Sequence, residues 1–137
     1  MASSYIEQAI ITRLKSVTAI TAIVGSGSSA RIYYMDAPES PTYPYVLIQE
    51  ISDADLNFNI GTDGASPRLQ IDSVDKNEDL ANIKPLDRAI RASLNDYSGT
   101  VDGIVINCIE HGGSRSISEE PFIRLIRDFI IYYEVPA

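Results

Sequence analysis

"ISDADLNFNI", residues 51–60, alternates along its length. In an extended chain Ala54, Leu56, Phe58 and Ile60 fall on one side, and Asp53, Asp55, Asn57 and Asn59 on the other. Period two of this kind describes a strand with one dry and one wet face. Asp and Asn are poor strand formers, so the wet face is unusual in composition. Upstream, "YVLIQEI" (45–51) is rich in β-branched and aromatic residues and reads as a strong strand, with a bend near Ser52. Downstream, "GTDGAS" (61–66) has the residues of a turn and "PRLQIDSV" (67–74) those of the returning strand. The expectation is one long β-hairpin from about 45 to 74 that outruns a compact domain. Its dry flank needs a cover, from this chain's own core or from another molecule.

The flanking segments supply a core. Ile6, Ile10, Leu14 and Val17 recur at helical spacing, with Ile11 widening the stripe. Ser3 or Ser4 is expected to cap this helix, with Glu7 closing a capping box. "TAITAIVG" continues as a short helical turn stopped by Gly25, and "RIYYM" (31–35) is strand-like. Pro38, Pro41 and Pro44 make the next stretch an irregular surface loop. Asp75, with Glu78 three residues on, is expected to cap a second helix. Leu80, Ile83, Leu86, Ile90 and Leu94 share one face of it, and Pro85 should kink or divide it. Asp102-Gly103 between β-branched residues signals a two-residue hairpin turn, and "PFIRLIRDFIIYYEV" (121–135) a long closing strand. The order is helix, strand, long hairpin, helix, hairpin, strand. It predicts a single α+β domain over 1–137, an antiparallel sheet with a long protruding β-hairpin and two main helices packed on one face.

A chain of 137 residues can bury one real core. Its formal net charge of −8 disfavours binding to duplex DNA by phosphate neutralisation. An acidic surface can still face DNA without holding it. The single cysteine, Cys108, forms no internal disulfide. "MASSYIEQAI" lacks the basic and apolar regions of a signal peptide, and cytoplasmic synthesis is the expectation. No stretch has the roughly 18 apolar residues of a membrane span, so no membrane role is predicted.

Little points to catalysis. His111 is the only histidine, and Cys108 lies three residues earlier in a strand, where the two side chains point apart. Cys108 is expected to be a buried small apolar residue and His111 a strand-end surface residue. One Cys and one His cannot build a zinc site. Asp53, Asp55 and Asn57 imitate the start of a calcium loop, but Phe58 and Gly64 occupy the positions that need Gly and Glu. "GSGSSAR" lacks the lysine and hydroxyl of a phosphate loop, and "HGGSRS" (111–116) reads as a mobile hairpin end. The carboxylate pairs Asp36/Glu39 and Glu119/Glu120 sit in loops beside proline, where burial cannot tune them for acid–base work.

Several segments together resemble the tail-completion, or tail-terminator, proteins of long-tailed bacteriophages, also called tail-to-head joining proteins. These are "IEQAIITRLKSV" followed by "AIVGSGSSARIYYMDAP", then "YPYVLIQEIS", then "SPRLQIDSVDKNEDLANIKPLDRAIRASL", then "YSGTVDGIVINCI" and "FIRLIRDFIIYYE". Order and spacing carry the resemblance, which covers nearly the whole chain; Pro85 departs from the smoother helix of the family. The resemblance implies a virion structural protein, without catalysis or cofactor. It implies a ring, usually of six copies, at the head-proximal end of the tail tube, assembled in the host cytoplasm. Such a ring ends tube growth and docks the head's connector. Its partners are copies of itself, the tail tube protein and a head connector or completion protein.

On that basis Leu56, Phe58 and Ile60 are expected to be covered by a neighbouring subunit or the tube. An unpaired amphipathic strand otherwise invites aggregation. Asp53, Asp55 and Asp63 are candidates for acids facing the central hole, through which DNA passes without specific binding. Alternatives are another connector or neck ring subunit, a small α+β enzyme or ligand-binding domain, or a self-sufficient monomer.

Overall fold

The computed structural model describes residues 5–52, 55–57, 63–65, 67–76, 80–119 and 121–134. Helices α1 (Ile6–Lys15) and α2 (Thr18–Val24) come first, then a 3-10 turn (Gly27–Ser29). Strand β1 (Ile32–Tyr34) leads through the proline loop to β2 (Tyr45–Ser52), β3 (Asp55–Asn57), β4 (Asp63–Ala65) and β5 (Arg68–Lys76). Helix α3 (Leu80–Leu94) follows, then β6 (Gly99–Val101), β7 (Ile104–Glu119) and β8 (Phe122–Glu134). The fold is α+β, with one mixed sheet of order β1-β2-β5-β8-β4-β3 and with β7 and β6 continuing from β8.

The helices bury their apolar stripes on one face of this sheet. Ile6, Ala9, Ile10 and Leu14 of α1, Ile20 and Val24 of α2, and Leu86, Ile90 and Leu94 of α3 share one core cluster with Ile48, Ile71 and Phe129. Fully burying each large apolar side chain contributes about 1.5–3 kcal/mol before ordering costs. Arg13 joins α1 to the end of α3: its Nε donates to the Ser93 carbonyl at 3.2 Å, and its guanidinium lies 4.2 Å from the Tyr97 ring centre. Arg31 holds the proline loop by donating to the carbonyls of Pro44 (2.9 Å) and Ile23 (2.8 Å).

Several expectations change. The sheet is mixed because β1 runs parallel to β2; the stretch 35–44 carries the chain back before β2 begins. Helix α1 starts after Tyr5, whose side chain makes no capping bond, while Ser3 and Ser4 lie outside the described residues. Asp75 is buried near the end of β5, where its Oδ1 accepts the Lys76 N–H at 2.8 Å, and Glu78 of the expected capping box lies outside the described residues. Pro85 neither divides nor ends α3, a single helix of 15 residues. The Asp102-Gly103 turn forms as expected, with both residues at positive φ (52° and 81°), the mirror-image turn that suits strand twist. "HGGSRS" is not a hairpin end. It lies within β7, which runs on to Glu119, and an irregularity between His111 and Gly113 absorbs the glycines.

Candidate assembly surfaces

Two strand pairs of the expected hairpin lie within the described residues. β2 pairs with β5 from Tyr45↔Val74 to Ser52↔Arg68, with one shift between Glu50 and Ser52. β3 pairs with β4 from Asp55↔Ala65 to Asn57↔Asp63. The returning limb is itself hydrogen-bonded to β8, through Arg68↔Ile130, Ala65↔Tyr133 and Gly64↔Glu134. In the described residues β4 and β5 are therefore part of the sheet, not clear of it. Leu56, Asp55 and Asp63 sit in its paired backbone. Phe58, Ile60 and Asp53 lie outside the described residues.

The sheet face away from the helices carries a polar seam. Asp72 is fully buried, accepts from Arg124 Nη1 at 3.0 Å, and accepts from Gln70 Nε2 at 3.0 Å. Arg115 reaches Gln70 Oε1 at 3.4 Å and Asp128 at 4.0 Å. Burial pushes the Asp72 carboxyl above its ordinary value of 3.8, and Gln70 and Arg124 oppose that push. Beside the seam, Tyr45, Leu47 and Val74 form a small second cluster under Tyr33, Tyr43 and Phe122.

A second polar site lies between α3 and the β7–β8 pair. Asp87 accepts two bonds from Arg127, Nε to Oδ1 and Nη2 to Oδ2, both at 2.7 Å. These side chains are 13% and 12% exposed. Arg127 Nη1 lies 3.2 Å from His111 Nε2, and the His111 ring packs on Phe129 at 5.4 Å. Burial, then the positive charge of Arg127 and Arg91, holds the His111 pKa below 6.5. Above this ion pair runs a groove of about 350 Å³, whose walls include Lys84, Arg88, Ser114 and Arg115. Lys84, Arg88 and Arg91 stand exposed on one stripe of α3, at i, i+4 and i+7. The groove is thus basic in a chain of net charge −8. Sequence reasoning missed it, although the 84/88/91 spacing on the wet side of an evident helix was the available signal.

Two expectations about β7 are corrected. Cys108 is exposed, because a register shift between Ile106 and Cys108 turns it outward opposite Tyr132. His111 is half-buried in mid-strand, opposite Phe129. From Cys108 to His111 the pairing is regular, so the two side chains do point to opposite faces. Among the described residues no three His, Cys, Asp or Glu side chains gather as a metal site would need. Asp36 and Glu39 are exposed in the proline loop.

A family description, Tail completion protein gp17, matches residues 8–134. The chain belongs to the tail completion protein gp17 family. Membership makes it a structural component of a bacteriophage virion tail. Two solved structures share the fold. One is a chain from the virion of a native gene transfer agent particle, 17% identical, with a TM-score of 0.76 over 94% of both chains. The other is 9% identical, with a TM-score of 0.57 over 96% of both chains. No curated protein matches by sequence.

Proposed function

We propose that this tail completion protein closes the head-proximal end of a phage tail tube as a ring of six copies, stops tube growth there and joins tail to head. The observation that carries the reading is the family match over residues 8–134. The protein's partners are then its own copies, the tube protein and a connector protein of the head. A closed cyclic assembly uses the same surface in every copy and leaves no free end, which suits a structure that must terminate a polymer. Leu56, Phe58 and Ile60 are assigned to the contact with a neighbour or the tube. Burying each contributes about 1.5–3 kcal/mol before ordering costs. Asp53, Asp55 and Asp63 are assigned to the hole, where they repel passing DNA over about a Debye length of 8–10 Å.

Purified tail tubes test this reading. The protein should bind one end and halt elongation, and uniform binding along the tube, or none, contradicts it. Phe58→Asp should leave the fold intact, as judged by circular dichroism, and abolish end binding. An unfolded Phe58→Asp variant would instead return Phe58 to the protein's own core.

A further inference from the structure

The sheet ends in two unlike edges. On one side lies β1, beside Glu50 and Ile51 of β2. Tyr34, Met35 and Ile51 are exposed there at 40%, 53% and 51%, although each is large and apolar. Tyr34 also lines a shallow recess with Tyr5, Glu7 and Ile11 of the first turns of α1. Burial raises the Tyr34 hydroxyl pKa above 10, and the nearby charges of Glu7 and Glu50 raise it further. The described carboxylates near this edge are Asp36, Glu39 and Glu50, and no lysine or arginine stands between Arg31 and Arg68 in the sequence. This edge is apolar and negative.

On the other side lies β7. β6 pairs with it only from Ile104 to Ile106, and the Asp96 N–H donates to the Ile109 carbonyl at 2.9 Å. From Glu110 to Ile117 its outer edge pairs with no strand among the described residues. The basic groove of Lys84 and Arg88 opens along that stretch, beside Ser114 and Ser116. Among the described residues no carboxylate lies within 4.0 Å of the charged nitrogens of Lys84, Arg88 or Arg91. A long edge strand without a partner templates pairing with another chain. Here those three cations flank it.

The two edges occupy the same rows of the sheet. Tyr34 pairs with Ile48, Ile48 with Ile71, Ile71 with Arg127, and Arg127 with Ser114. One row thus runs from the acidic edge to the basic one. Both helix contributions, the start of α1 and the stripe of α3, belong to the helix-covered side. If two copies meet edge to edge, α1 of one comes against α3 of the next. A contact between unlike patches is heterologous, the kind that propagates and closes into a ring when the rotation allows.

We infer that the edge formed by β1, Glu50, Ile51 and the first turn of α1 docks on the free edge of β7 and the α3 stripe of a second copy of this chain. Strand pairing supplies the register, Tyr34, Met35 and Ile51 supply the apolar burial, and Glu7 and Glu50 meet Lys84, Arg88 and Arg91. Complementary charge of this kind selects the partner edge and rejects like edges, since acidic against acidic is repelled. The inference rests on the ring proposed above and names the contact that builds it.

Site-directed cross-linking tests it. In a Cys108→Ser background, Met35→Cys and Ser114→Cys are placed in one chain and treated with a short bismaleimide on tail tubes. A ladder of covalent oligomers is expected, and neither cysteine alone should take it beyond a dimer. Arg88→Glu with Arg91→Glu should abolish the ladder, and adding Glu7→Arg with Glu50→Arg should restore it. Circular dichroism checks each fold, and where a reversal variant unfolds the cross-linking arm decides alone. Tube ends capped by rings that give no ladder would overturn this contact while leaving the ring standing. Wild-type protein that forms no ring on tubes would remove the ring itself, and this contact with it. Retention of the ring by the Arg88→Glu/Arg91→Glu variant, with loss of duplex DNA binding, would assign the groove to phosphate and also overturn the contact.

Discussion

Replacing Asp87 with Ala tests how α3 is fixed to the sheet. Asp87 holds Arg127 by two bonds of 2.7 Å, in a site where both side chains are about seven-eighths covered. Removing one partner of a buried pair leaves an uncompensated charge and costs about 3–5 kcal/mol. Two features reduce this cost: the remaining exposure lets water reach the guanidinium, and His111 Nε2 stands 3.2 Å from Arg127 Nη1 and can accept from it as the neutral ring. A loss of about 2–4 kcal/mol is expected for Asp87→Ala. The unfolding entropy of about 2.1 cal/mol/K per residue gives about 0.29 kcal/mol/K over 137 residues. A loss of about 3 kcal/mol is then a drop in Tm of about 10 °C. Thermal melts followed by circular dichroism, with urea titration for the free energy, measure it. Asp87→Leu combined with Arg127→Met should lose less than Asp87→Ala alone, because apolar replacement leaves no charge stranded. A loss below about 0.5 kcal/mol, the range of an ordinary surface substitution, would refute the reasoning. So would a double variant as damaged as the single one, since the ion pair would then not be what holds the helix.

Three further outcomes follow from the same geometry. Phe129 is fully buried at the centre of the core, and Phe129→Ala should cost about 3–5 kcal/mol in urea unfolding. The folded-state pKa of His111 lies below its unfolded value of 6.5, so the unfolded chain binds the proton more readily. Stability should therefore be full above pH 6.5 and fall as pH drops from there through the depressed value; His111→Gln should flatten that part of the pH–stability curve. Asp72 has the opposite sign. Its folded pKa is raised above 3.8, so its contribution is present below that pH and is lost as pH rises through the raised value; Asp72→Asn should remove that slope.

The sequence by itself determined the elements and the class. Apolar residues at helical spacing placed α1 and α3, and β-branched runs placed β2, β5 and β8 to within about two residues. Asp102-Gly103 determined its turn, since few residue pairs hold two positive φ angles at low cost. Such features follow from neighbours along the chain, and periodicity records them directly. The family resemblance was legible for the same reason, being carried by the order of these segments.

Tertiary structure decided what depends on partners distant in sequence. The dry flank of the 51–60 stretch looked like half of a free ribbon, but only the register showed β4 hydrogen-bonded to β8. Cys108 lost its expected buried place because a bulge, not encoded locally, sets which way its side chain faces. The Asp87–Arg127 pair joins residues 40 apart. The basic groove exists only because α3 lies along β7 and β8, gathering cations that the overall charge conceals. Alternation along a strand tells which residues share a face; what that face meets is decided by long-range pairing, where the energy of burial is settled.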